Sequence, residues 1–225
     1  MVEIVLKNQE VIIIYKPSGI PTQSDTSGDS DAMTMTAEIL RSLGENDALW
    51  LVHRLDRVVA GLVVFARNKK SAAELSALVG GKGMEKEYLA VVEGEAKGGE
   101  MTDYIFKDSA KGKAFVVNGG RKGAKLASLE YIPLDFCETE RGARTLVKIK
   151  LHTGRFHQIR VQFASRSLPL VGDGKYGSHD NRAKMPALFA SHLGFEILGK
   201  SVDAKIKPDI QQYPWSIFKK ENYDD

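Results

Sequence analysis

The chain has 225 residues, of which 43% are hydrophobic and 27% are charged. This balance is typical of a globular protein with one substantial core, and it excludes a largely disordered chain. The formal net charge of +3 permits nucleic-acid binding without requiring it. The single cysteine, Cys137, excludes an internal disulfide and argues against a cysteine-based zinc site.

The N-terminal segment MVEIVLKNQEVIIIYKPSG contains only short apolar runs, each broken by polar residues, which is unlike a signal peptide. No stretch of the chain approaches the roughly 18 apolar residues of a membrane span. We therefore expect a cytoplasmic protein with no membrane contact.

Short apolar runs separated by turn signals predict the first elements. Residues 11–15 form a β-branched strand that ends at the turn KPSGIP. The segment MTAEILRSLGE predicts a short helix with Gly44 at its C-terminal cap. The runs ALWLVHRL and AGLVVFAR predict two strands, one on each side of Asp56.

The second part of the chain contains the clearest helix, NKKSAAELSALVGG, which Asn68 can cap and two glycines end. KEYLAVVEG, residues 101–134 and RTLVKIKLHTG predict strands, whereas RFHQIRVQFASR has helical spacing and LPLVGDGKYGSHD is a glycine-rich loop. Strands outnumber helices and follow one another in groups. We therefore predict an α+β fold with mostly antiparallel pairing, in a single domain over residues 1–225.

One carboxylate stands out because of its surroundings. In LWLVHRLDRVVAGLVVFAR, Asp56 lies between Arg54 and Arg57 in an otherwise apolar stretch. A half-buried ionised carboxylate is costly unless it is paired and hydrogen-bonded. These residues alone leave two interpretations open: a structural ion pair with one of the two arginines, or a functional carboxylate.

Five segments occur in a specific order and spacing: YKPSGIP, VHRLDRVVAGLVVFAR, KEYLAVVEG, LHTGRFHQIRVQFASRSLPLVGDGKYG and ALFASHLGFEI. With these segments the chain resembles the RluA family of pseudouridine synthases, the large-subunit-rRNA/tRNA type, over roughly residues 10–197. The resemblance implies a catalytic α+β domain with a curved, mostly antiparallel sheet. It also implies isomerisation of specific uridines in rRNA or tRNA after base flipping. This reaction gains and loses no atoms, so it needs no metal and no cofactor.

The resemblance implies three catalytic residues. Asp56 would attack the target uridine, Tyr88 would stack on the base and aid proton transfer at C5, and Arg160 would keep Asp56 ionised and aimed. We expect all three to converge in a cleft that crosses the sheet. Asp56 could stabilise positive character on the ribose, take a ribose proton, or bond covalently. From the residues alone, Tyr88 could equally be a core aromatic and Arg160 a solvated arginine on a helix surface.

Four further residues are expected to bind RNA. Arg54 would fill the gap left by the flipped nucleotide or hold phosphates, and Arg155 and Lys175 are candidates for phosphate contacts. Leu188 would supply an apolar wall of the uracil pocket, although it could also be an ordinary core leucine. His53, next to Arg54, is expected to make a structural hydrogen bond.

Several RluA-type relatives carry an S4-type RNA-binding domain ahead of the catalytic domain. We expect none here, because the strand before YKPSG starts within about ten residues of Met1. Basic residues in the middle of the chain could supply additional contacts with RNA, although a solvated turn residue is the better interpretation for any one of them. These residues are Lys69, Lys70, Lys82, Lys86, Lys107, Lys111, Lys113, Arg121, Lys122 and Lys125.

Three departures from the family pattern concern the target range: the turn RVVAG, Phe189 in place of a histidine, and Gln23. Two alternative functions stay open at this point. One is an RNA-binding assembly factor that kept the scaffold and lost turnover. The other is a hydrolytic glycosidase, which would usually need a second carboxylate at the scissile bond. The sequence does not identify the RNA or the uridine, and we expect a monomer.

Overall fold

The computed structural model describes residues 1–25, 28–81 and 83–223, so Lys82 of the basic group lies outside the described residues. Eleven strands and three α-helices occur within these residues, which confirms the α+β prediction. In chain order they are β1 (Glu3–Lys7), β2 (Val11–Lys16), α1 (Ala32–Ser42), β3 (Trp50–Leu51), β4 (Ala60–Ala66), α2 (Lys69–Gly80), β5 (Met84–Glu93), β6 (Gly99–Asp108), β7 (Lys113–Val117), β8 (Lys125–Thr139), β9 (Gly142–Leu151), α3 (Gln158–Ala164), β10 (Leu188–Ile197) and β11 (Lys200–Lys205).

The chain divides into two compact units. The first unit comprises Met1–Lys86 and Ala190–Ile206, and the second comprises Glu87–Phe189 and Lys207–Asp225. The single-domain organisation expected from the sequence stays a prediction. None of the helices among the described residues is long and apolar enough to cross a membrane.

The sheet of the first unit is built around β2 and β4. β2 pairs antiparallel with β1 and with β4, β10 lies beside β4, and β11 pairs antiparallel with β10. The first four side chains of β2 are fully buried, so this strand is covered on both faces. On one face they pack with Leu62 and Val64 of β4 and with Leu75 of α2.

Both helices of the first unit begin at a side-chain cap. The Asn68 carboxamide accepts the Ser71 N–H at 2.8 Å, as predicted for α2. α1 begins three residues earlier than predicted, because the Asp31 carboxylate accepts the Thr34 N–H at 2.9 Å. Gly44 follows α1 in the left-handed region with φ +71°, the conformation expected at a helix end.

The strand predicted over ALWLVHRL is wrong after Leu51. Only Trp50–Leu51 pairs with β4, and the chain then leaves the ladder. In place of a strand carbonyl, the His53 imidazole accepts the backbone N–H of Val64 in β4, with 3.0 Å between Nε2 and the Val64 nitrogen. Burial, and then the positive charge of Lys86, lowers the pKa of His53 to about 4. The neutral ring accepts the Val64 N–H, which agrees with the structural role expected for His53.

The second unit contains an antiparallel sheet in the order β5-β9-β8-β6-β7. α3 packs on one face, where Val161 joins Ile105, Ala114 and Ala127 in a common core. α3 is shorter than the predicted helical segment, because its N-cap residue, His157, has a left-handed backbone with φ +52°. A second core joins β5 and β9 to the C-terminal segment that contains Phe218 and Tyr223.

We expect Gly61→Ala to unfold the first unit. Gly61 has φ +125°, and an added Cβ would lie 2.7 Å from the Ala190 Cα of β10, with no flexible group to give way. The free energy of unfolding should fall by about 3 kcal/mol or more. Gly44→Ala is the matched control, because Gly44 also has positive φ but meets nothing within 4 Å, and it should cost only about 1 kcal/mol. Equal losses in urea denaturation would contradict this explanation.

The stability of the protein should fall as the pH drops from 6.5 towards 4. His53 has a folded pKa of about 4 against an ordinary value of 6.5, so the unfolded chain takes up a proton that the folded chain refuses. His53→Gln keeps an acceptor for the Val64 N–H but cannot titrate. Between pH 7 and 4.5 the variant should lose roughly 2 kcal/mol less unfolding free energy than the wild type. Identical pH profiles of stability for the wild type and His53→Gln would contradict the conclusion that the buried His53 imidazole is neutral.

Candidate active site

The backbone around Asp56 is fastened on both sides to the loop that follows β2. The N–H of Leu55 donates to the Thr22 hydroxyl at 3.2 Å, and that hydroxyl donates to the Leu55 carbonyl at 3.0 Å. The carbonyl of Arg57 accepts the Gly19 N–H at 2.8 Å. Asp56 itself is half-buried. The hydrogen-bonded backbones of its two neighbours therefore fix the point from which the Asp56 side chain projects.

A buried cation completes this loop. The Lys16 side chain has no exposed surface, and its Nζ lies 2.8 Å from the Ile20 carbonyl oxygen, 3.0 Å from that of Pro17 and 3.4 Å from that of Arg57. Burial lowers the pKa of Lys16 to about 8, although the nearby Asp56 carboxylate raises it. The same attraction favours the ionised form of the Asp56 carboxyl.

The two arginines that flank Asp56 in the sequence have different environments. Arg57 donates from Nε to the Gly19 carbonyl at 2.9 Å and from Nη2 to Asp29 at 2.5 Å. Arg54 is exposed, and within the described part of the chain it makes no ion pair with a carboxylate. The structural interpretation in which Arg54 neutralises Asp56 is therefore not supported.

In the second unit, Arg160 is buried and forms a bidentate ion pair with Asp173. Nε and Nη2 donate to the two carboxylate oxygens at 2.7 and 2.8 Å, and both side chains are nearly inaccessible to solvent. Its guanidinium carbon also lies 5.0 Å from the centre of the Tyr176 ring. The alternative of a solvated arginine on a helix surface is therefore wrong. Asp173 uses two of the five N–H donors of the guanidinium.

Tyr176 links α3 to β7. Its hydroxyl accepts the Ala114 N–H at 2.8 Å and lies 2.9 Å from Nδ1 of His157. Burial, followed by the charges of Arg160, Lys175 and Lys107, lowers the pKa of His157 to about 3. The imidazole is therefore neutral, and one hydrogen bond joins its Nδ1 to the Tyr176 hydroxyl. These bonds fix the start of the helix that carries Arg160.

Tyr88 and Arg160 lie on the same side of the sheet of the second unit. Tyr88 of β5 faces Ile149 of β9, which in turn faces Tyr131 of β8. The Tyr131 ring contacts Phe163 of α3 edge to face, with 4.9 Å between ring centres. Phe163 follows Arg160 by one helical turn, so α3 covers the side to which Tyr88 belongs. Tyr88 is only 8% exposed.

The remaining predicted residues of the second unit each contact protein. Arg155 is exposed and donates from Nε to the Leu126 carbonyl at 2.9 Å. Lys175 donates from Nζ to the Gly112 carbonyl at 3.0 Å. Leu188 is 5% exposed, which agrees with a core position, and its neighbour Phe189 is equally buried.

Sequence reasoning missed three residues of these networks: Lys16, Asp173 and Tyr176. The signal for Lys16 was its position, because a lysine at the end of the buried strand VIIIYK cannot reach solvent easily. Asp173 and Tyr176 both lie in VGDGKYG, which the sequence presented only as a glycine-rich loop. Their partners are 13 and 62 residues away along the chain.

In each unit the networks hold side chains that could act on a nucleotide. The first unit presents a carboxylate beside a buried ammonium, and such a carboxylate can act as a nucleophile or stabilise positive charge. The second unit presents an aromatic ring and a guanidinium on one side of its sheet.

Comparison with known proteins identifies the family. The model of the RNA pseudouridylate synthase family matches residues 10–165. An uncharacterized RNA pseudouridine synthase from Aquifex aeolicus is 33% identical over 209 residues, which cover 86% of this chain and 65% of the relative. This chain thus spans slightly less than two thirds of that relative. Ribosomal large subunit pseudouridine synthase D from Zymomonas mobilis is 28% identical, with 93% of this chain and 70% of the relative covered.

A solved structure supports the same fold. The human protein RNA pseudouridylate synthase domain containing 4 superposes with a TM-score of 0.75 at 23% identity, over 92% of this chain and 89% of that chain. This likeness confirms the α+β pseudouridine synthase fold that the five sequence segments predicted. With the family match over more than half of its length, the chain belongs to the RNA pseudouridylate synthase family.

Proposed function

We propose that this chain isomerises specific uridines of ribosomal or transfer RNA to pseudouridine, with Asp56 as the catalytic aspartate. The observation that carries the proposal is the environment that fixes the position of Asp56. A half-buried carboxylate lies beside a buried ammonium, and hydrogen bonds hold the backbone of both neighbouring residues. A fixed, ionised carboxylate suits attack on a flipped uridine, where breaking the glycosidic bond builds positive character on the ribose.

Tyr88 and Arg160 complete the proposed catalytic set. Tyr88 provides an aromatic face that replaces the stacking lost by the flipped uracil, and a hydroxyl that can move a proton at C5. Arg160 provides a permanent positive charge, and its bidentate pair with Asp173 fixes the plane of the guanidinium. As the resemblance to the family implies, we assign to Arg160 the role of keeping Asp56 ionised and oriented.

Four residues are proposed to bind the RNA. Arg54 is exposed and makes no ion pair among the described residues. It is therefore suited to fill the gap that the flipped nucleotide leaves in the RNA, or to contact RNA phosphates. Arg155 and Lys175 retain N–H donors beyond those that bind backbone carbonyls. Leu188 is proposed as a wall of the uracil pocket. We further propose that the protein acts as a monomer in the cytoplasm.

Asp56→Asn should abolish isomerisation in a purified assay on transcribed rRNA and tRNA. Asparagine keeps the shape of the side chain but loses its charge and nucleophilicity, so the rate of pseudouridine formation should fall at least about 1000-fold. RNA affinity and the midpoint of urea unfolding should stay close to those of the wild type. Asp47→Asn, at a carboxylate paired with Arg41 on the surface, is the matched control and should remain active.

Other results of this assay would contradict the mechanism or support one of the two alternative functions. Full activity of Asp56→Asn would refute the mechanism. A wild type that binds these RNAs tightly but forms no pseudouridine would support the assembly factor. Release of free uracil by the wild type would support the glycosidase.

Substitutions of Tyr88 should separate stacking from proton transfer. Tyr88→Phe keeps the ring and loses the hydroxyl, so kcat should fall about 100-fold while RNA affinity is retained. Tyr88→Leu loses the aromatic face as well and should also weaken binding of the flipped base, by about 1–3 kcal/mol. Single-turnover kinetics and a binding titration would measure both effects. Wild-type kcat in Tyr88→Phe would remove the hydroxyl from the mechanism.

A further inference from the structure

The positive charge of this protein is concentrated in one short part of the second unit. Residues 104–125, which include β7 and the turns on either side of it, contain six basic residues and one acidic residue, for a net charge of +5. The whole chain carries only +3, so the remaining residues together carry −2. A polyanion would therefore be attracted to this segment rather than to the average surface.

The strand register places two aromatic rings side by side on this segment. Phe106 of β6 faces Phe115 of β7, and both are half-buried. Their neighbours Ile105 and Ala114 point to the opposite side, into the core beneath α3. The two phenylalanines therefore lie on the side of the sheet that α3 does not cover.

Cations lie over these rings. The guanidinium of Arg121 is 3.7 Å from the centre of the Phe106 ring, and Nζ of Lys111 is 5.9 Å from the centre of the Phe115 ring. Nζ of Lys113 is also 5.9 Å from the Phe115 centre but lies nearer, at 5.1 Å, to the centre of the Tyr176 ring. The single acid, Asp108, accepts the Lys111 backbone N–H at 3.0 Å. Within residues 1–25, 28–81 and 83–223, none of the six basic side chains of this segment forms an ion pair with a carboxylate. Their charges are therefore available to an external anion.

The segment is also firmly attached to the rest of the second unit. The Ala114 N–H donates to Tyr176, and Nζ of Lys175 donates to the Gly112 carbonyl at the turn. On the side of α3, Lys107 lies 4.6 Å from the centre of the Phe156 ring. A ligand would thus meet a preorganised surface, which lowers the entropic cost of binding.

We propose that this surface, formed by Phe106, Phe115, Lys111 and Arg121 and here called the hairpin face, binds a single-stranded segment of the substrate RNA. Phe115 stacks on an unpaired base, and Phe106 holds Arg121 in position for a phosphate. Single-stranded RNA offers both a base face and a phosphate at each step, whereas a duplex hides its base faces. The inference rests on the proposed function, because it concerns the RNA on which Asp56 would act.

The test compares two probes by fluorescence anisotropy: a labelled oligouridylate of about 12 nucleotides and an RNA duplex of similar length. Phe115→Leu should weaken binding of the single strand about 5- to 30-fold, leave the duplex unaffected and leave the salt dependence unchanged. Phe115→Trp should restore the affinity, because it returns an aromatic face. Lys111→Ala/Arg121→Ala should weaken binding and lower the slope of log K against log salt by about 1.4, since each lost phosphate contact removes about 0.7.

The matched control is Lys200→Ala/Lys205→Ala, which removes two exposed lysines of β11 in the first unit and should change the affinity less than about 2-fold. The inference is overturned if Phe115→Leu binds the single strand like the wild type. It is also overturned if the control loses as much affinity as Lys111→Ala/Arg121→Ala, or if Phe115→Trp binds as poorly as Phe115→Leu.

A pseudouridine assay on the same preparations separates the two claims. If the wild type isomerises uridines and Phe115→Leu binds the single strand normally, the proposed role of the hairpin face is wrong and the proposed function stands. If the wild type forms no pseudouridine and Phe115→Leu loses single-strand binding, the proposed function is wrong and the hairpin face still binds RNA.

Discussion

The burial of one ammonium group determines the geometry around Asp56. Lys16 ends a strand whose first four side chains are inaccessible, and a buried lysine is costly unless each of its N–H donors finds an acceptor. Three backbone carbonyls, those of Pro17, Ile20 and Arg57, provide these acceptors. The loop after β2 and the segment before β4 must therefore stay together, because separating them would leave the buried charge unsatisfied. Asp56 lies in the segment that this requirement fixes.

Buried arginines of the second unit are likewise paired with carboxylates, although the buried Nε of Arg144 has no hydrogen-bond partner among the described residues. Arg160 is paired with Asp173, and Arg144 donates to Asp180 at 3.0 Å. Asp180 also accepts from Arg182 and from the C-terminal Tyr213, and these bonds, above all that from Arg182, hold the pKa of its carboxyl far below the ordinary range.

The exposed cations of the hairpin face are different, because aromatic rings rather than carboxylates position them. Buried charge thus determines the structure, whereas the charge that is exposed over aromatic rings is the charge that we propose for RNA binding. The two groups can be altered separately, since removing a cation of the hairpin face leaves no buried carboxylate without a partner.

Local patterns in the sequence predicted the elements that depend on local interactions. Asn68 capped α2 as expected, and the β-branched run after Val11 formed a strand. The pattern failed where a distant residue decides the outcome. The strand before Asp56 stops at Leu51 because His53 bonds to β4, and α3 starts late because His157 turns into the left-handed region.

The partners of the candidate site were less predictable than its residues. The five segments led to Asp56, Tyr88 and Arg160 through resemblance to a family, but no local pattern pointed to the buried Lys16 or to Asp173, the ion-pair partner of Arg160. Their contacts join residues that only the fold brings together, such as Lys16 and Arg57, 41 positions apart. The paired phenylalanines of the hairpin face likewise required the strand register, although the lysines around them were visible in the sequence.

The central claim is that the protein isomerises uridines of cellular RNA through Asp56. Its most direct test is a pseudouridine map of total RNA from a host that lacks this gene. The host would be complemented with the wild type or with Asp56→Asn at matched protein levels. The proposed function predicts that one or a few uridines of rRNA or tRNA lose the modification, and that only the wild type restores it. Restoration of the same positions by Asp56→Asn would contradict the account, and so would a map that the deletion leaves unchanged.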